Sequence, residues 1–169
     1  MIVTDSNVLA ARSFTGAQTA LAEKVEELDP VWIMPPLWRY EFQNILTKGI
    51  GAGAFTQEGA LQVWRVVMAR MEGNEHEPNP ERVIELSARY RITAYDANFV
   101  ALAMEMGVLC VTEDGELQKK FPALTVSMAD FIRQGRPGGE ARESRASYGG
   151  RKSKAPLSDK RISIRAGTR

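Results

Sequence analysis

Four acids are spaced so that this chain could gather carboxylates at one place: Asp5, Glu41, Asp96 and Asp114. Asp5 ends the apolar run Ile2-Val3-Thr4, and Asp114 closely follows the apolar run Val108 to Thr112. Both are therefore expected at the carboxyl end of a strand, where ligands collect in open α/β sheets. Glu41 falls with Leu37, Trp38 and Ile45 on one helical stripe, expected to turn inward, where an unpaired carboxylate is costly. Asp96 opens a helix that is apolar nearly all round. Four carboxylates in one small site repel one another and call for a cation. An all-oxygen set without His or Cys selects Mg²⁺ or Mn²⁺. The reaction such a site runs best is metal-assisted phosphodiester hydrolysis, with a metal-activated water and a stabilised leaving oxygen.

Each acid also has a plain structural reading. Asp5 or Asn7 can cap the next helix. Thr93-x-x-Asp96 matches a capping box, and an acid in a first turn suits the helix dipole. Thr112-Glu113-Asp114 can cap the helix that holds Leu117. Glu41 can pair with an Arg or lie at a wet stripe edge. Taken singly, these readings are at least as good as the catalytic one, and only the set of four favours a site.

The elements that must position the acids follow from periodicity and punctuation. Apolar runs at 2–4, 31–34, 108–112 and 124–126 predict short buried strands. Between and after them, helices are expected near 7–11, 17–28, 36–48, 57–71 (capped by Thr56), from Pro80 to Tyr90 (capped by Asn79), 94–106, up to Lys120, and from Ser127 to Gln134. The 57–71 helix is apolar over much of its girth, so it is expected to be buried or to pack on a partner. Gly49, Gly51 and Gly53 follow a helix rather than a strand, so they make no dinucleotide fingerprint and are read as a flexible loop. Strands alternating with helices predict a mainly parallel sheet covered on both faces, a three-layer α/β/α sandwich.

Composition narrows the chemistry further. The chain has 169 residues, 44% of them hydrophobic and 25% charged, as ordinary globular proteins do. No run of about 18 apolar residues exists, and no membrane span or signal peptide is expected. The single Cys, Cys110, lies in an apolar strand and is expected to be a small core residue. With one Cys and one His, His76, no His/Cys zinc site can form. A Ser-His-Asp triad would need His76, which lies in a polar loop. The expected compartment is the cytosol.

The overall charge of +1 hides a split. Residues 1–135 carry 12 Lys and Arg against 18 Asp and Glu, a net −6; residues 136–169 carry 10 against 3, a net +7. The expected organisation is a domain over 1–134 and a basic, low-complexity tail over 135–169, which is too poor in apolar residues to fold alone. Arg12, Arg39, Lys48, Lys119 and Lys120 are the body's nearest candidates for contact with nucleic acid.

The blocks that carry the acids resemble those of PIN-domain nucleases. These are Ile-Val-Thr-Asp5-Ser-Asn-Val-Leu, Tyr-Glu41-Phe, Thr-Ala-Tyr-Asp96-Ala-Asn-Phe-Val-Ala-Leu-Ala and Val-Thr-Glu-Asp114-Gly-Glu-Leu. The likeness covers about residues 1–133 and is nearest to the VapC toxins of toxin–antitoxin pairs. Order, spacing and the Tyr-Asp-Ala…Ala-Leu-Ala block carry it; no single block is specific. The resemblance implies a PIN-like α/β/α sandwich and Mg²⁺/Mn²⁺-dependent endoribonuclease activity, with Asp5, Glu41, Asp96 and Asp114 as catalytic metal ligands. It also implies Asn7, Thr112 and Glu116 as polar helpers, an RNA substrate, a homodimer, and a small VapB-like antitoxin as partner. The alternatives are a catalytically silent PIN-like module that binds RNA or protein, and a haloacid-dehalogenase-like phosphatase. The latter needs a second Asp two residues after the first, where this chain has Asn7.

Overall fold

The computed structural model describes residues 1–135, so most of the expected 135–169 tail lies outside the described residues. The elements run β1 (Ile2–Thr4), α1 (Ser6–Ser13), α2 (Thr19–Leu28), β2 (Trp32–Ile33), α3 (Trp38–Gly51), α4 (Gln57–Met71), α5 (Pro80–Tyr90), α6 (Ala94–Met106), β3 (Cys110–Val111), α7 (Gly115–Lys120), β4 (Thr125–Val126) and α8 (Met128–Gln134). Every strand pairing is parallel, in the order β2-β1-β3-β4. Val3 faces Ile33 on one side and Cys110 on the other, and Thr4 faces Val111. β1 is thus an inner strand, and all its residues are buried, as a sheet covered on both faces requires.

The connections set the layers. From β1 the chain crosses to β2 on one side; from β2 it passes beyond β1 to β3 on the other. Right-handed crossovers in opposite directions put α1 and α2 on one face and α6 and α7 on the other. The packing agrees. α6 lies against β1 and β3, and Val83 and Leu86 of α5, Ala97, Val100 and Ala101 of α6, and Leu117 of α7 form one apolar cluster. Val8 and Leu9 of α1, Ala22 and Val25 of α2, and Phe131 of α8 belong to the main core. The expected α/β/α sandwich with its parallel sheet is the observed fold.

Cap chemistry starts most of the helices. Asp5, Thr56, Asn79, Thr93, Asp114 and Ser127 each accept backbone N–H groups of the first turn, which offsets donors that have no partner within the helix. Two expectations for α3 fail. The helix does not stop at a glycine loop but continues through Gly51. Phe55 folds back so tightly that a Cβ on Gly49 would meet its ring at 2.1 Å. The same ring stacks on Phe14, centroids 4.6 Å apart, so Gly49 is a close-approach residue and the turn falls later, at Gly53, with φ +72. The buried stripe of α3 is Trp38, Phe42 and Leu46; Glu41 flanks it, half-buried, rather than lying within it. On α4, Ala60, Val63, Val67 and Met71 are buried, while Leu61 and Val66 are exposed.

Thr4 is fully buried at the end of β1, and its hydroxyl has no hydrogen-bond partner among the described residues. An unpaired buried hydroxyl is costly, and Val has nearly the same shape with a better strand propensity. Thr4→Val should raise stability by about 1 kcal/mol, seen as a higher urea midpoint at unchanged slope. A lower midpoint would show that this hydroxyl has a partner after all.

Candidate functional site

Because β1 and β3 are adjacent and parallel, the residues that follow them emerge side by side. Asp5 comes directly after Thr4, and its N–H donates to the carbonyl of Val111 at 3.1 Å. Thr112, Glu113 and Asp114 leave β3 at the same edge. α3 follows β2 and α6 precedes β3, so the first turns of both helices, with Glu41 and Asp96, also lie at the carboxyl edge of the sheet. Topology alone therefore brings all four acids to one edge.

The side chains tie this edge together. Asp5 is only 7% exposed. Its Oδ1 accepts the N–H groups of Asn7 at 2.9 Å and Val8 at 3.0 Å, and its Oδ2 accepts the Thr112 hydroxyl. The capping role and the buried-acid role are thus filled by the same carboxyl. The Thr112 oxygen in turn accepts the Asp114 N–H at 3.0 Å, so one fully buried hydroxyl joins the two strand-end acids. Asp114 Oδ1 accepts from Glu116 N at 2.7 Å and Leu117 N at 3.1 Å. Glu41 Oε2 accepts the Ser6 hydroxyl at 2.5 Å, which fastens α3 to the first turn of α1. Asp96 Oδ2 accepts the Thr93 hydroxyl at 2.7 Å.

The electrostatics link the four. Burial holds the Asp5 carboxyl above the usual carboxylate range, against the lowering effect of its hydrogen bonds, and repulsion from Asp114 adds to the rise. Burial likewise raises Glu41, against its Ser6 hydrogen bond, and Asp5 and Asp96 add repulsion. A chain of like charges thus runs Asp114, Asp5, Glu41, Asp96. Among the described residues, no three His, Cys, Asp or Glu side chains close on a common point suited to a metal ion. Both oxygens of Asp5, and one oxygen each of Glu41, Asp96 and Asp114, instead accept from hydroxyl or amide donors. The donor chemistry nonetheless fits a hard cation: the set is all oxygen, and repulsion within it adds to the rise at Asp5 and Glu41.

The other sequence candidates separate. Thr112 lies at the centre of the set. Asn7 is exposed and, with Glu113, borders a groove of about 400 Å³ floored by Ala10, Ala11 and Phe14. Glu116 is exposed and pairs with Lys119 at 2.7 Å, which holds its carboxyl below the usual range, against repulsion from Asp114. Ser6 was not among the candidates. The only sequence signal for it is its place between Asp5 and Asn7, since its partner Glu41 lies 35 residues away. Cys110 is buried in β3, and burial pushes its thiol up, as expected of a core residue.

Comparison with known proteins gives three findings. A family model described as PIN domain matches residues 2–122. Ribonuclease VapC3 from Pyrobaculum aerophilum is 27% identical over 127 residues, which cover 73% of this chain and 96% of that protein. The crystal structure of PAE2754 from Pyrobaculum aerophilum matches with a TM-score of 0.62 at 20% identity, over 79% of this chain and 94% of its own, a likeness of fold.

Two predictions follow from the geometry. Thr112→Val leaves one oxygen of Asp5 and the N–H of Asp114 without the hydroxyl and should cost about 1–3 kcal/mol, the opposite sign from Thr4→Val; equal midpoints for the two variants would contradict the bridge. The second concerns pH. A raised carboxyl keeps its proton to higher pH in the folded chain, so its contribution favours folding below the unfolded pKa and is lost as pH rises through the folded one. Glu41→Gln keeps an acceptor for Ser6 and removes the charge. Without metal it should raise the melting temperature by about 2 °C near pH 8 and leave it unchanged near pH 4. A loss of stability near pH 8 would contradict the electrostatic account.

Proposed function

The chain belongs to the PIN domain family, and from that premise we propose that it is a divalent-metal-dependent endoribonuclease, the toxin of a type II toxin–antitoxin pair. The observation that carries the reading is the linked set Asp114, Asp5, Glu41 and Asp96 at the carboxyl edge of a parallel sheet. The similarity to a protein named Ribonuclease VapC3 supports RNA as the substrate. Asp5, Glu41, Asp96 and Asp114 would hold Mg²⁺ or Mn²⁺. When bound, the ion supplies an activated water at neutral pH and charge neutralisation at the leaving oxygen.

The chain's own part is positioning. Asp5 is fixed by two backbone N–H groups and by Thr112, so its carboxyl cannot swing away from the edge. Thr112 sets Asp114 against it through the same hydroxyl. Ser6 orients Glu41 from the first turn of α1, and Thr93 does the same for Asp96 within its own turn. Asp5 and Glu41 must lose their protons before they can ligate. Because both are raised, ligation weakens as pH falls toward their values, and activity declines on the acid side.

A small VapB-like antitoxin, a homodimer and a cytoplasmic setting complete the proposal. Among the described residues no helix is long and apolar enough to cross a membrane. The second reading is a catalytically silent PIN-like binding module; it draws on the donors each acid already holds, two oxygens of Asp5 and one each of Glu41, Asp96 and Asp114 accepting from hydroxyl or amide groups.

Purified protein incubated with structured RNAs and Mn²⁺ separates the two. Wild type should cleave, and Asp5→Asn and Asp96→Asn should each lower the rate by about 100-fold or more, a few kcal/mol of transition-state stabilisation. Cleavage that survives in both variants, or in EDTA, would overturn the assignment of the site.

A further inference from the structure

A polyphosphate strand that approaches four carboxylates meets like charge, so cations beside them must hold it. Among the described residues, Arg12, Lys24, Arg39, Arg70, Lys119 and Arg133 are engaged in ion pairs. Lys48 and Arg65 are exposed but stand apart, on α3 and α4. The rest gather where α5 and α7 end. The Arg89 guanidinium lies over the Tyr90 ring, 5.4 Å from its centroid. Tyr90 packs on Phe121, centroids 4.6 Å apart. Lys120, next to Phe121 in the chain, donates to the Arg91 carbonyl at 3.2 Å. Arg89 and Arg91 are exposed and Lys120 is half-buried, and none of the three is in an ion pair among the described residues. Exposed Arg82, two helical turns earlier on the face of α5 that holds Arg89, continues the line. Glu85 lies between those two and pairs with neither.

This join lies beside the acids. Arg91 is two residues before Thr93, whose hydroxyl caps α6 and binds Asp96. α7 starts from its cap Asp114, and about 9 Å of helix separates that cap from Lys120. Tyr95, adjacent to Asp96, is 62% exposed. Arg91 itself has φ 52 and ψ 50 and is the one described non-glycine residue with positive φ. Glycine is the usual residue there after a helix, and α6 does end on Gly107 in that conformation. A cation near a helix C-terminus suits the dipole, but α5 already carries Arg89 in its last turn. The dipole therefore gives no reason for Arg at the position where the backbone favours Gly. We propose that Arg89, Arg91 and Lys120 form a rim that holds backbone phosphates of single-stranded RNA beside the reactive edge, and that Tyr95 stacks on a base of the same strand. Attraction by the rim is independent of base sequence and works by counterion release, and an aromatic face accepts any base. The proposal deepens the ribonuclease reading and rests on it for the choice of ligand.

The test is binding without turnover. A short fluorescent single-stranded RNA is titrated with the full chain in EDTA, from about 50 to 200 mM salt. Each phosphate contact contributes about 0.7 to the slope of log affinity against log salt on single strands. The rim variant R89Q/R91Q should lower that slope by about 1.4 and weaken low-salt binding by about tenfold or more, as two lost contacts require. The control K48Q/R65Q removes the same charge and should change the slope by less than about 0.7, one contact. Tyr95→Leu should weaken binding by about fivefold or more at an unchanged slope, since stacking releases no counterions. Arg91→Gly separates ligand from fold. It should raise the melting temperature by about 2 °C or more, because it relieves the backbone, yet lower the slope by about 0.7. A rim variant or an Arg91→Gly that keeps the wild-type slope, a K48Q/R65Q that matches the rim variant, or a Tyr95→Leu that binds as wild type does would each overturn the proposal. If wild type binds in EDTA with these variant effects yet does not cleave with Mn²⁺, the nuclease reading fails and this one stands.

Discussion

A carboxylate held almost out of water between two parallel strands is the constraint on which the site's architecture depends. Asp5 is 7% exposed, and desolvation opposes its charge. The fold keeps it there with two helix N–H groups and the Thr112 hydroxyl. Those bonds require that β1 stop where α1 begins, that β3 lie beside β1 in register, and that Thr112 leave β3 one residue past the last paired position. The register that places Thr4 against Val111 meets these requirements. With Asp5 fixed, Asp114 is drawn in through the same hydroxyl, and Glu41 is drawn to Ser6, its neighbour in the chain. The result is an edge whose four acids pair with no Lys or Arg among the described residues, and a cation would relieve their repulsion.

Much of this was readable before any coordinates. The strand-end acids followed from short apolar runs that stop at carboxylates, and the helix starts from Thr56, Asn79, Thr93 and Ser127, because caps act through local backbone geometry. The convergence of the four acids was readable from strand ends and helix starts only as one option beside plain capping, and the resemblance favoured it. No periodicity relates Asp5 to Glu41 or Asp114, since parallel strands meet through crossovers that hide the pairing.

The misreadings also have physical causes. For α3 the pattern admitted two neighbouring stripes, Leu37-Trp38-Glu41-Ile45 and Trp38-Phe42-Leu46. Tertiary packing selected the second: Trp38 packs against Trp64 with its ring tilted, and Phe42 stacks on Phe14. That choice turned Glu41 to the edge, where a carboxylate can reach both solvent and Ser6. The glycines were read as a break because glycine favours turns. Gly49 serves the opposite purpose, making room within a helix for Phe55. The Glu116–Lys119 pair is an i,i+3 pair that helical spacing offers, whereas nothing in the sequence joins Arg39 to Glu75, 36 residues away.

The central claim is that Asp5, Glu41, Asp96 and Asp114 form one cation site. The most direct test is an anomalous-scattering crystal structure of the full chain grown with Mn²⁺. The account predicts an ion at the carboxyl edge between β1 and β3, with carboxylate oxygens of these acids about 2.0–2.3 Å away. Manganese bound elsewhere, or an edge without manganese while the carboxyls keep their hydroxyl and amide partners, would contradict it.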